Sequence, residues 1–589
     1  MREEGYAVYL AQLNISNFRK LQKVELNFQP GLNILIGANN VGKTAVVDAL
    51  RALLAGHDEP YPRLDIGDVH HPKGDKPTGD IVFQYIFRGL DADDEADFLA
   101  ALKPDAVGNL EAHITIRYSE ADKAGRLRAK RWCGDHEDVG LTADIMENLR
   151  GVYLPPLRDA SQSLKPSRTS QLSRLFQLLA NDEGRNGINA ALKTLDDELK
   201  KHQPIINTHT AIKTRHDSML GSQLAQALEI GLSGSDFQRL ASRLSLVVDA
   251  FEIEQNGLGF NNLIFMAVVL SELAKNPEAS YRGLIVEEPE AHLHPQLQAV
   301  LLSYLETIKG IEGEKPVQLF VTSHSPNFAS IANLDSLICL VDTGAAVETF
   351  FPRTIKFEKG KREKLERYLD VTRAELFFAR RVIFVEGAAE LMLVSVLAEK
   401  AGFNLREHGV SLISVEGLNF DSFLPLFGEK ALKIPVALLT DADPFDEPTD
   451  GSAPKALYPA PGDEIKVSDN TAKMKTSEDT FIKVFHGLKT LEYDLALYAD
   501  NRTAMLMALK ELHPKIGETI EAAVDAAADD ASKARALFSG MFERTQNNVQ
   551  KGRIGQAMAQ VISEGAACTV PDYIRDAIVH ACQAEPTKL

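Results

Sequence analysis

Short apolar runs and helix-type repeats alternate along most of the chain. The run GLNILI (31–36) leads into a glycine-bearing loop and then into the helix-like segment AVVDALRALLAG (45–56). Four later runs have the length of buried strands, and each ends in polar residues: LIV (284–286), VQLFVT (317–322), RVIFV (381–385) and IPVALLT (434–440). Strands that alternate with helices predict an α/β fold with parallel sheets.

Between these runs the pattern changes three times. Residues 81–132 alternate as half-buried β-strands do, and residues 171–243 repeat with the period of helices. Residues 504–537 are alanine-rich and predict helix, whereas residues 446–477 are rich in proline, glycine and charge and predict a mobile insertion. With 589 residues, the chain is long enough for two or more domains. We place them at residues 1–370, with a helical insertion at about 165–243, and at residues 375–589, with a helical C-terminal part.

Composition limits the class of protein. The net charge is −19, which is unusual for a DNA-binding protein because affinity for DNA comes largely from neutralised phosphates. Two basic runs, at 123–131 and 353–367, offset this locally. The first reads as a hairpin surface, whereas the second lies between the two domains and could guide DNA.

The four cysteines show no C-x-x-C spacing, so neither a disulfide framework nor a zinc site is expected. The N-terminal sequence is neither a secretory nor a transit signal, and no run of 18 apolar residues occurs. We therefore expect a cytoplasmic protein.

The loop GANNVGKT (37–44) fits the phosphate-binding pattern G-x-x-x-x-G-K-[ST] at Gly37, Gly42, Lys43 and Thr44. Glycines let backbone N–H groups approach phosphate oxygens, and the following helix adds positive potential at its N-terminus. Lys43 would reach the β- and γ-phosphates, and the Thr44 hydroxyl would bind Mg²⁺. The motif and its strand–loop–helix context predict an ATP site.

A second motif supplies carboxylates for that site. The LIV strand ends in Glu287 and Glu288, which alternation along the strand points in opposite directions. One can face the Mg²⁺ ion while the other faces the attacking water. The run 317–322 places His324 at its C-terminal end, where ligands bind in open α/β sheets.

These motifs resemble the ATPase heads of the ABC/SMC-like class. The matching segments are NFR (17–19), GANNVGKT, EEPEAHLHP (287–295) and TSHSP (322–326). The resemblance implies that Glu287 supports Mg²⁺, Glu288 polarises water and His324 senses the γ-phosphate. It also implies nucleotide contacts by Arg19 and by the loop residues Gly37, Asn39, Asn40, Gly42, Lys43 and Thr44.

One segment departs from that class. The usual LSGGQ signature is missing from the sequence, and the corresponding region reads GLGFNNLIFMAVVL (257–270). A glycine-bearing turn before an apolar helix could still present N–H groups to the γ-phosphate held by a partner subunit. This variant resembles that of the OLD (overcoming lysogenization defect) family.

The last third of the chain carries a second cluster of acids. Glu386 ends the strand at 381–385 and Glu390 follows on the first helical turn, while Asp441 and Asp443 end the strand at 434–440. Such oxygen ligands suit Mg²⁺ or Mn²⁺ rather than Zn²⁺, and without a cation they would repel one another. A D-x-D pair alone is often a loop cap. With the preceding strand, Glu-Gly and helix it resembles the Toprim domain of topoisomerases, primases and OLD nucleases.

Two further segments resemble OLD nucleases, and each has a simpler explanation. KTLEYDLAL (489–497) resembles the segment that supplies another acidic metal ligand, here Glu492, although Thr490 could simply cap a helix with acids in its first turn. QNNVQKGRIGQAMAQVI (546–562) resembles the segment with the catalytic lysine, here Lys551, although a lysine on the surface at a helix start is equally typical.

Taken together, the chain resembles OLD-family ATP-dependent endonucleases over residues 10–562, within the wider family that includes Gabija-type nuclease subunits. YLPPLRDA (153–160) resembles the stretch before their helical insertion. The resemblance implies an ABC-type ATPase domain with a helical dimerisation insertion, followed by a Toprim α/β domain with C-terminal helices.

The implied activity is cutting or nicking of double-stranded DNA by a two-metal mechanism with Mg²⁺, Mn²⁺ or Ca²⁺. Glu386, Asp441 and Lys551 would be catalytic, and Glu390, Asp443 and Glu492 would be further metal ligands. The family also implies a homodimer or higher even-numbered assembly, a role in defence against phage and, in some members, a helicase-like partner protein. The main alternative is an SMC- or RecF-like ATPase clamp that binds nucleic acid without cutting it. Topoisomerase or primase chemistry is less favoured, because zinc-finger spacings and a recognisable nucleophilic tyrosine are missing from the sequence.

Overall fold

Two parallel sheets and one antiparallel sheet organise the chain. The computed structural model describes residues 8–55, 61–71, 76–156, 160–221, 226–232, 236–248, 251–277, 279–307, 314–446 and 455–583. Within these ranges the strands are β1 (Tyr9–Phe18), β2 (Leu21–Asn27), β3 (Leu32–Ile36), β4 (Ile81–Arg88), β5 (Leu102–Pro104), β6 (Leu110–Ser119), β7 (Arg128–Cys133), β8 (Leu149–Leu154), β9 (Val247–Val248), β10 (Phe251–Glu252), β11 (Tyr281–Glu287), β12 (Gln318–Thr322), β13 (Leu337–Asp342), β14 (Val347–Phe350), β15 (Arg381–Val385), β16 (Val410–Ser414), β17 (Val436–Thr440), β18 (Phe445–Asp446), β19 (Lys455–Ala456) and β20 (Ile482–His486).

The α-helices surround these sheets and form two further groups. They are α1 (Lys43–Leu54), α2 (Ala92–Asp97), α3 (Ala143–Asn148), α4 (Ala160–Leu164), α5 (Gln171–Leu179), α6 (Asp182–Leu199), α7 (Gln203–Leu220), α8 (Phe237–Ala241), α9 (Leu258–Lys275), α10 (Pro295–Thr307), α11 (Pro326–Ile331), α12 (Lys361–Tyr368), α13 (Ala388–Lys400), α14 (Phe420–Phe423), α15 (Asp469–Lys475), α16 (Leu491–Ala496), α17 (Ala499–Leu512), α18 (Pro514–Asp525), α19 (Asp530–Phe542), α20 (Lys551–Ser563) and α21 (Asp572–Cys582).

The first parallel sheet has the strand order β14-β13-β3-β12-β11-β8, with only the β13–β14 pair antiparallel. Every residue of β3, β11 and β12 is buried, as expected for strands covered on both faces. Because β3, β12 and β11 are neighbours and run in the same direction, the loops that follow them meet at one edge of the sheet.

An antiparallel sheet of order β2-β1-β4-β6-β5, with β7 paired to β6, packs beside the first. It confirms the β-subdomain predicted from the alternation at 81–132. The first basic run lies on the β6–β7 hairpin, also as predicted.

Helices α5 to α8 form the predicted helical insertion. Several large apolar side chains on these helices and the segment between them are exposed: Leu179, Leu195, Ile206, Ile212, Met219, Leu220 and Leu232. The next helix, α9, is long and apolar enough by composition to cross a membrane, yet Phe265, Leu270 and Leu273 pack into the core between it and the first sheet. The pattern therefore fits a core helix. Residues 157–159 of the YLPPLRDA segment lie outside the described part of the chain.

The second parallel sheet has the order β16-β15-β17-β20. Glu386 and Asp441 directly follow the adjacent strands β15 and β17, so both lie at the same edge. The C-terminal helices α16 to α21 pack around this sheet. The alanine-rich stretch at 504–537 is helical as predicted, but it is divided among three helices. Pro514 starts α18 after α17 ends, because proline cannot continue a helix, and the Asp529 side chain caps α19.

The predicted mobile insertion at 446–477 is also different in the structure. Residues 447–454 lie outside the described residues, but the remainder packs against the second sheet. The Tyr458 ring lies 5.9 Å from that of Tyr493, and the Thr471 hydroxyl donates to the Asp441 carbonyl at 2.8 Å. Aromatic and hydrogen-bonding contacts therefore anchor a segment whose composition alone favoured mobility.

Candidate active sites

The loop after β3 needs both of its motif glycines. Gly37 is buried with φ +145°, and a Cβ atom there would lie 2.4 Å from the Leu340 carbonyl oxygen of β13. Gly42 has φ +115° and directly precedes α1. Only glycine adopts such a backbone without strain, so the loop is fixed in a shape that exposes its N–H groups at the start of a helix.

Lys43 lies under this loop. Its Nζ donates to the carbonyls of Gly37 at 2.5 Å and Ala38 at 3.0 Å, and burial lowers its pKa to about 8. A cavity of about 180 Å³ opens beside it, lined by Arg19, Lys20, Asn40, Gly42, Lys43, Thr44, Ala45 and His324. Five side chains predicted to bind or sense the nucleotide therefore share one small cationic cavity at the start of α1, namely Arg19, Asn40, Lys43, Thr44 and His324. Asn39 is exposed and does not line this cavity.

The two glutamates after β11 have different surroundings. Glu287 is buried, accepts a hydrogen bond of 2.6 Å from the Tyr153 hydroxyl, and has its pKa raised by burial. Glu288 leaves the strand with φ +45° and is half exposed, with its Oε1 atom 3.8 Å from His324 Nε2. Burial and the nearby Lys43 lower the pKa of His324, so a largely neutral imidazole faces Glu288 near neutral pH.

Glu290 is a residue that the sequence reasoning missed. It is buried, and its Oε1 atom accepts from the Ser323 hydroxyl at 2.6 Å and from the His324 backbone N–H at 3.2 Å. The side chain therefore ties the end of β11 to the turn that carries His324. Because Glu290 lies in the EEPEAH motif, the sequence could have indicated that it belongs to the site. Nothing in the sequence indicated that Tyr153 would contact Glu287.

Arg19 lies beside the phosphate loop but is held by acids. Its Nε donates to Asp68 at 2.8 Å and its Nη1 to Asp48 at 2.7 Å. The two carboxylates orient the guanidinium toward the cavity. Its predicted contact with nucleotide phosphates stays a prediction.

The signature-like turn lies away from this cavity. Helix α9 begins at Leu258 after Gly257, and Gly259 packs so closely on the His292 carbonyl that a Cβ there would lie 2.6 Å from it. Among the described residues, the cavity at Lys43 has no lining side chain from this turn. One chain alone thus presents the phosphate loop and the turn at separate places.

The second group of acids lies at the edge of the other sheet. Glu386 Oε1 accepts from the Thr440 hydroxyl at 2.6 Å and from the Asp441 backbone N–H at 2.9 Å. Asp441 is largely buried, and burial together with Glu386 raises its pKa well above the usual range, against the opposing effect of Lys551. The ends of β15 and β17 are thereby locked together through one carboxylate.

Lys551 and Glu492 complete this edge from two helices. Lys551, the first residue of α20, places its Nζ 2.9 Å from Glu492 Oε2 and 4.0 Å from Asp441 Oδ2. Glu492 is buried in the first turn of α16 and also accepts from the Thr490 hydroxyl at 3.0 Å. Thr490 stands at the N-cap position of α16, but its hydroxyl donates to Glu492 and makes no capping hydrogen bond to the helix backbone. Lys551 is an exposed residue at a helix start, as its simpler explanation has it, and it also lies beside the acids.

The remaining two predicted ligands differ. Glu390 is buried beside Glu386 and Asp441, its Oε2 accepts from the Gly387 N–H at 3.0 Å, and burial raises its pKa. Asp443 is exposed in a left-handed backbone conformation, with φ +42°. Its N–H donates to the Lys489 carbonyl at 3.1 Å, so the loop holds it at the rim of the cluster.

Family models match both halves of the chain. The AAA ATPase domain model matches residues 9–124 and 152–329, which contain the phosphate loop, Glu288 and His324. The model described as overcoming lysogenization defect protein-like, TOPRIM domain, matches residues 377–443, which contain Glu386 and Asp441. The chain joins an AAA ATPase domain to an OLD-like Toprim domain.

The chain is homologous to two named proteins over most of their length. It is 24% identical to the OLD nuclease of Thermus scotoductus over 476 residues, covering 75% of this chain and 84% of that protein. It is 21% identical to the endonuclease GajA of Bacillus cereus over 531 residues, covering 74% and 77%. The C-terminal region of the Burkholderia pseudomallei OLD protein is a structural neighbour at 25% identity and TM-score 0.25, covering 35% of this chain and 98% of that one.

The acids of the OLD-like Toprim domain carry the oxygen ligands that a divalent cation such as Mg²⁺ prefers. Glu492 Oε1 is buried and has no hydrogen-bond partner in the described structure, and a buried acceptor without a partner is costly. Across the described ranges, however, no three His, Cys, Asp or Glu side chains are placed to hold a metal ion together. The five predicted ligands lie at one edge but do not form a coordinating set: Lys551 pairs with Glu492, and Glu386 is bound to the Thr440 hydroxyl and the Asp441 N–H.

Two further side chains at this edge were not anticipated. Tyr573 of α21 lines the same small pocket as Glu386, Glu390 and Asp441. Asp494 is buried, accepts from the N–H groups of Leu488 and Lys489 at 3.0 and 3.2 Å, and has its pKa raised by burial to about 7. Asp494 stood in the same KTLEYDLAL segment as Glu492, but spacing could not distinguish a loop-organising acid from a ligand.

Proposed function

We propose that this protein is an ATP-binding DNA endonuclease, with nucleotide hydrolysis in the AAA ATPase domain and phosphodiester cleavage in the OLD-like Toprim domain. Homology to the named nucleases, together with the Toprim domain, supports a nuclease enzyme. The observation that carries the proposal is the juxtaposition of Glu386, Asp441, Glu492 and Lys551 at one sheet edge. Acids from two strands and a helix, with one cation among them, suit a phosphodiester substrate better than a purely structural role.

In the ATPase domain, each side chain has a task set by its surroundings. Lys43 would exchange its two carbonyl acceptors for the β- and γ-phosphate oxygens, and Thr44 is exposed at the start of α1 to bind Mg²⁺. Glu288, half exposed and facing His324, is placed to accept a proton from water. Glu287, buried against Tyr153, would complete the Mg²⁺ shell.

In the Toprim domain, Glu386, Asp441 and Glu492, with Glu390 and Asp443 at the sides, would hold Mg²⁺, Mn²⁺ or Ca²⁺. Two such ions would lower the pKa of the attacking water and stabilise the leaving oxygen. Lys551 would leave Glu492 to bind a phosphate oxygen of the DNA, where its charge would offset the negative charge on the phosphoryl oxygens. Thr440 and the Asp441 N–H keep Glu386 oriented throughout.

Part of the second basic run is engaged by the protein itself, so we do not rest the double-stranded DNA partner on this run. Lys361 pairs with Asp421, Arg362 with Asp335 at 2.9 Å, and Arg353 donates to the Asp335 carbonyl at 3.2 Å. Of these contacts, the pair of Lys361 and Asp421 joins the two domains. The first basic run, on the β6–β7 hairpin, is also paired with acids: Arg126 with Asp122, Arg128 with Glu120 and Lys130 with Glu137.

We also propose a homodimer or a higher even-numbered assembly. The exposed apolar side chains of α6 and α7 are unusual on a free surface, and a second copy would cover them. A partner subunit would also bring its signature-like turn to the Lys43 cavity, which one chain leaves open. The resemblance of the sequence to the OLD family further supports a cytoplasmic role in defence against phage, and we extend the proposal to a helicase-like partner protein.

Cleavage of supercoiled plasmid tests the proposal. The wild type should nick or linearise DNA with Mg²⁺, Mn²⁺ or Ca²⁺, whereas Glu386→Ala, Asp441→Ala and Asp443→Ala should not, and each variant should keep its ATP hydrolysis. The matched control is Asp576→Asn, an exposed carboxylate on α21. Conversely, Lys43→Ala should abolish ATP binding, and Glu288→Gln should bind ATP but hydrolyse it slowly.

A wild-type protein that cuts no DNA with any of the three ions, but binds it in an ATP-dependent way, would instead be the nucleic-acid clamp. Normal cleavage by Asp441→Ala would equally remove the nuclease assignment. Full ATP turnover in Glu288→Gln would remove the assignment of the base.

A further inference from the structure

A cavity of about 440 Å³ lies between the AAA ATPase domain and the OLD-like Toprim domain. Its ATPase side is formed by the phosphate-loop residues Ala38, Asn39 and Val41 and by the turn between β13 and β14. Its Toprim side is formed by the residues that precede β15 and β17 and by Phe481, which precedes β20. The cavity is thus built from both domains.

The cavity is separate from both active sites. It lies at the amino ends of β15 and β17, whereas Glu386 and Asp441 follow their carboxyl ends. Five residues of strand separate the two edges, or about 16 Å at ~3.3 Å per residue. On the other side, neither Lys43 nor Thr44 lines it, although Lys20 borders both this cavity and the one at Lys43.

Positive charge dominates its lining. Lys20, Arg380, Arg381 and Lys433 line it, and among the described residues Asp342 is the one carboxylate in the lining. Lys433 is paired with Glu348 at 2.6 Å and Lys20 is 3.9 Å from Asp342. Arg380 is exposed, and no carboxylate of the described residues pairs with it. Such a local excess of cations stands out in a chain whose net charge is −19 and attracts anions.

Arg381 has a donor without a partner. Its Nη1 donates to the His408 carbonyl at 2.6 Å, but its Nε is buried and has no hydrogen-bond acceptor within the described structure. Leaving a buried donor unpaired is unfavourable, and most such groups in proteins find a partner. Because this Nε has almost no accessible surface, a rotation of the Arg381 side chain would be needed to bring it to an anion in the cavity.

The remaining walls are apolar and include Leu376, Phe377, Ile434 and Phe481. The volume is that of a small-molecule site and too small for duplex DNA. We propose that this cavity binds a small organic phosphate of nucleotide size, with the phosphate at Arg380, Arg381 and Lys20 and the organic part against the apolar walls.

Such a ligand would contact both the ATPase domain and the Toprim domain. It would contact the phosphate loop at Ala38 and Asn39, and it would contact the starts of the two strands that end in Glu386 and Asp441. The bound molecule therefore joins the ATPase domain to the Toprim sheet at the edge opposite the nuclease cluster.

Calorimetric titration with AMP and with inorganic pyrophosphate tests the site. Full-length Lys43→Ala is the starting protein, because it disables the phosphate loop, and AMP also lacks the β-phosphate that this loop grips. We expect at least one probe to bind, and Arg380→Gln or Lys20→Gln to weaken that binding about tenfold, as loss of a charge-assisted hydrogen bond does. Arg406→Gln, an exposed arginine of the same domain outside the cavity, should leave the affinity unchanged.

The two probes separate the sources of the phosphate. Tighter binding of AMP supports a contribution from the apolar walls, whereas binding of pyrophosphate alone supports an inorganic polyphosphate at the same cations. The proposal is wrong if neither probe binds with a Kd below about 1 mM, which corresponds to ~4 kcal/mol, or if Arg380→Gln and Arg406→Gln have the same effect. Only variants whose Tm equals that of the starting protein are compared, so that a lower affinity cannot result from unfolding.

Discussion

The Nζ atom of Lys551 lies 2.9 Å from Glu492 Oε2, although the two residues are 59 positions apart and begin different helices. Burial by itself would lower the pKa of this ammonium, but the negative charges of Glu492 and Asp441 outweigh burial and raise the pKa well above its ordinary value. Lys551 therefore stays charged across the physiological range. It compensates the acids when no cation is bound, and it is available to a phosphate when one is.

Lys551→Met should lower the rate of plasmid cleavage by about 10²-fold, because it removes the charge and keeps the apolar stem. Binding of Mn²⁺, followed by calorimetry, should persist, since the carboxylates remain and a competing cation is gone. Lys515→Met, an exposed lysine on α18, is the control. If Lys551 only stabilised the fold, the variant would lose Tm while its cleavage rate per folded molecule stayed normal.

The affinity for ATP should fall with rising pH through the titration of Lys43. Burial lowers the pKa of this lysine to about 8, and phosphate oxygens bind its charged form. Above about pH 8 the Kd of a non-hydrolysable ATP analogue should therefore rise by up to about tenfold per pH unit. Fluorescence titrations at about pH 7, 8 and 9 measure this. Lys43→Arg should flatten the profile, because guanidinium stays charged, and an equally steep profile in that variant would refute the role of Lys43.

Without divalent cations, the protein should lose stability as the pH rises from about 5 to about 8. Burial raises the pKa of Asp494 to about 7, whereas an aspartate of the unfolded chain ionises near ~4. The native state then binds more protons than the unfolded chain in this window, so the contribution is present at low pH and is lost as the pH rises through about 7. Thermal melts in EDTA should show a smaller decline for Asp494→Asn than for the wild type. Asp525→Asn, exposed on α18, should behave as the wild type, and an unchanged slope in Asp494→Asn would contradict the prediction.

Ile212→Glu with Met219→Glu should dissociate the proposed dimer. Both side chains are exposed, at 50% and 82%, and seven residues apart they share one face of α7. Light scattering should give a dimer for the wild type and a monomer for the double variant, with ATP hydrolysis lost in the monomer because the site needs two chains. Thr214→Glu places one glutamate on the opposite face of α7 and should stay dimeric. A wild-type monomer that hydrolyses ATP would overturn the assembly.

Local physics made several elements predictable from the amino-acid sequence. A glycine loop between a buried strand and a helix has few other structures, so Gly37, Gly42 and Lys43 could be placed without coordinates. The sequence also predicted that Glu386 and Asp441 lie close together, because each follows an apolar strand and parallel strands bring their carboxyl ends to one edge. The alanine-rich composition of residues 504–537 predicted helix, but it did not show the helix boundary that Pro514 imposes.

Contacts between side chains that are distant in the sequence became visible in the folded protein alone. Glu290 reaches Ser323, Tyr153 reaches Glu287, and Lys551 reaches Glu492 through packing of separate elements. The cavity at Arg380 and Arg381 arises in the same way, because its walls come from the ATPase domain and from the amino ends of the Toprim strands. Hydrophobic periodicity fixes which face of an element is buried, but it carries no information about which charged group that face will bring beside another. Those contacts depend on loop geometry and on the fit of whole elements, and they set the pKa shifts and the ion pairs on which the proposed chemistry rests.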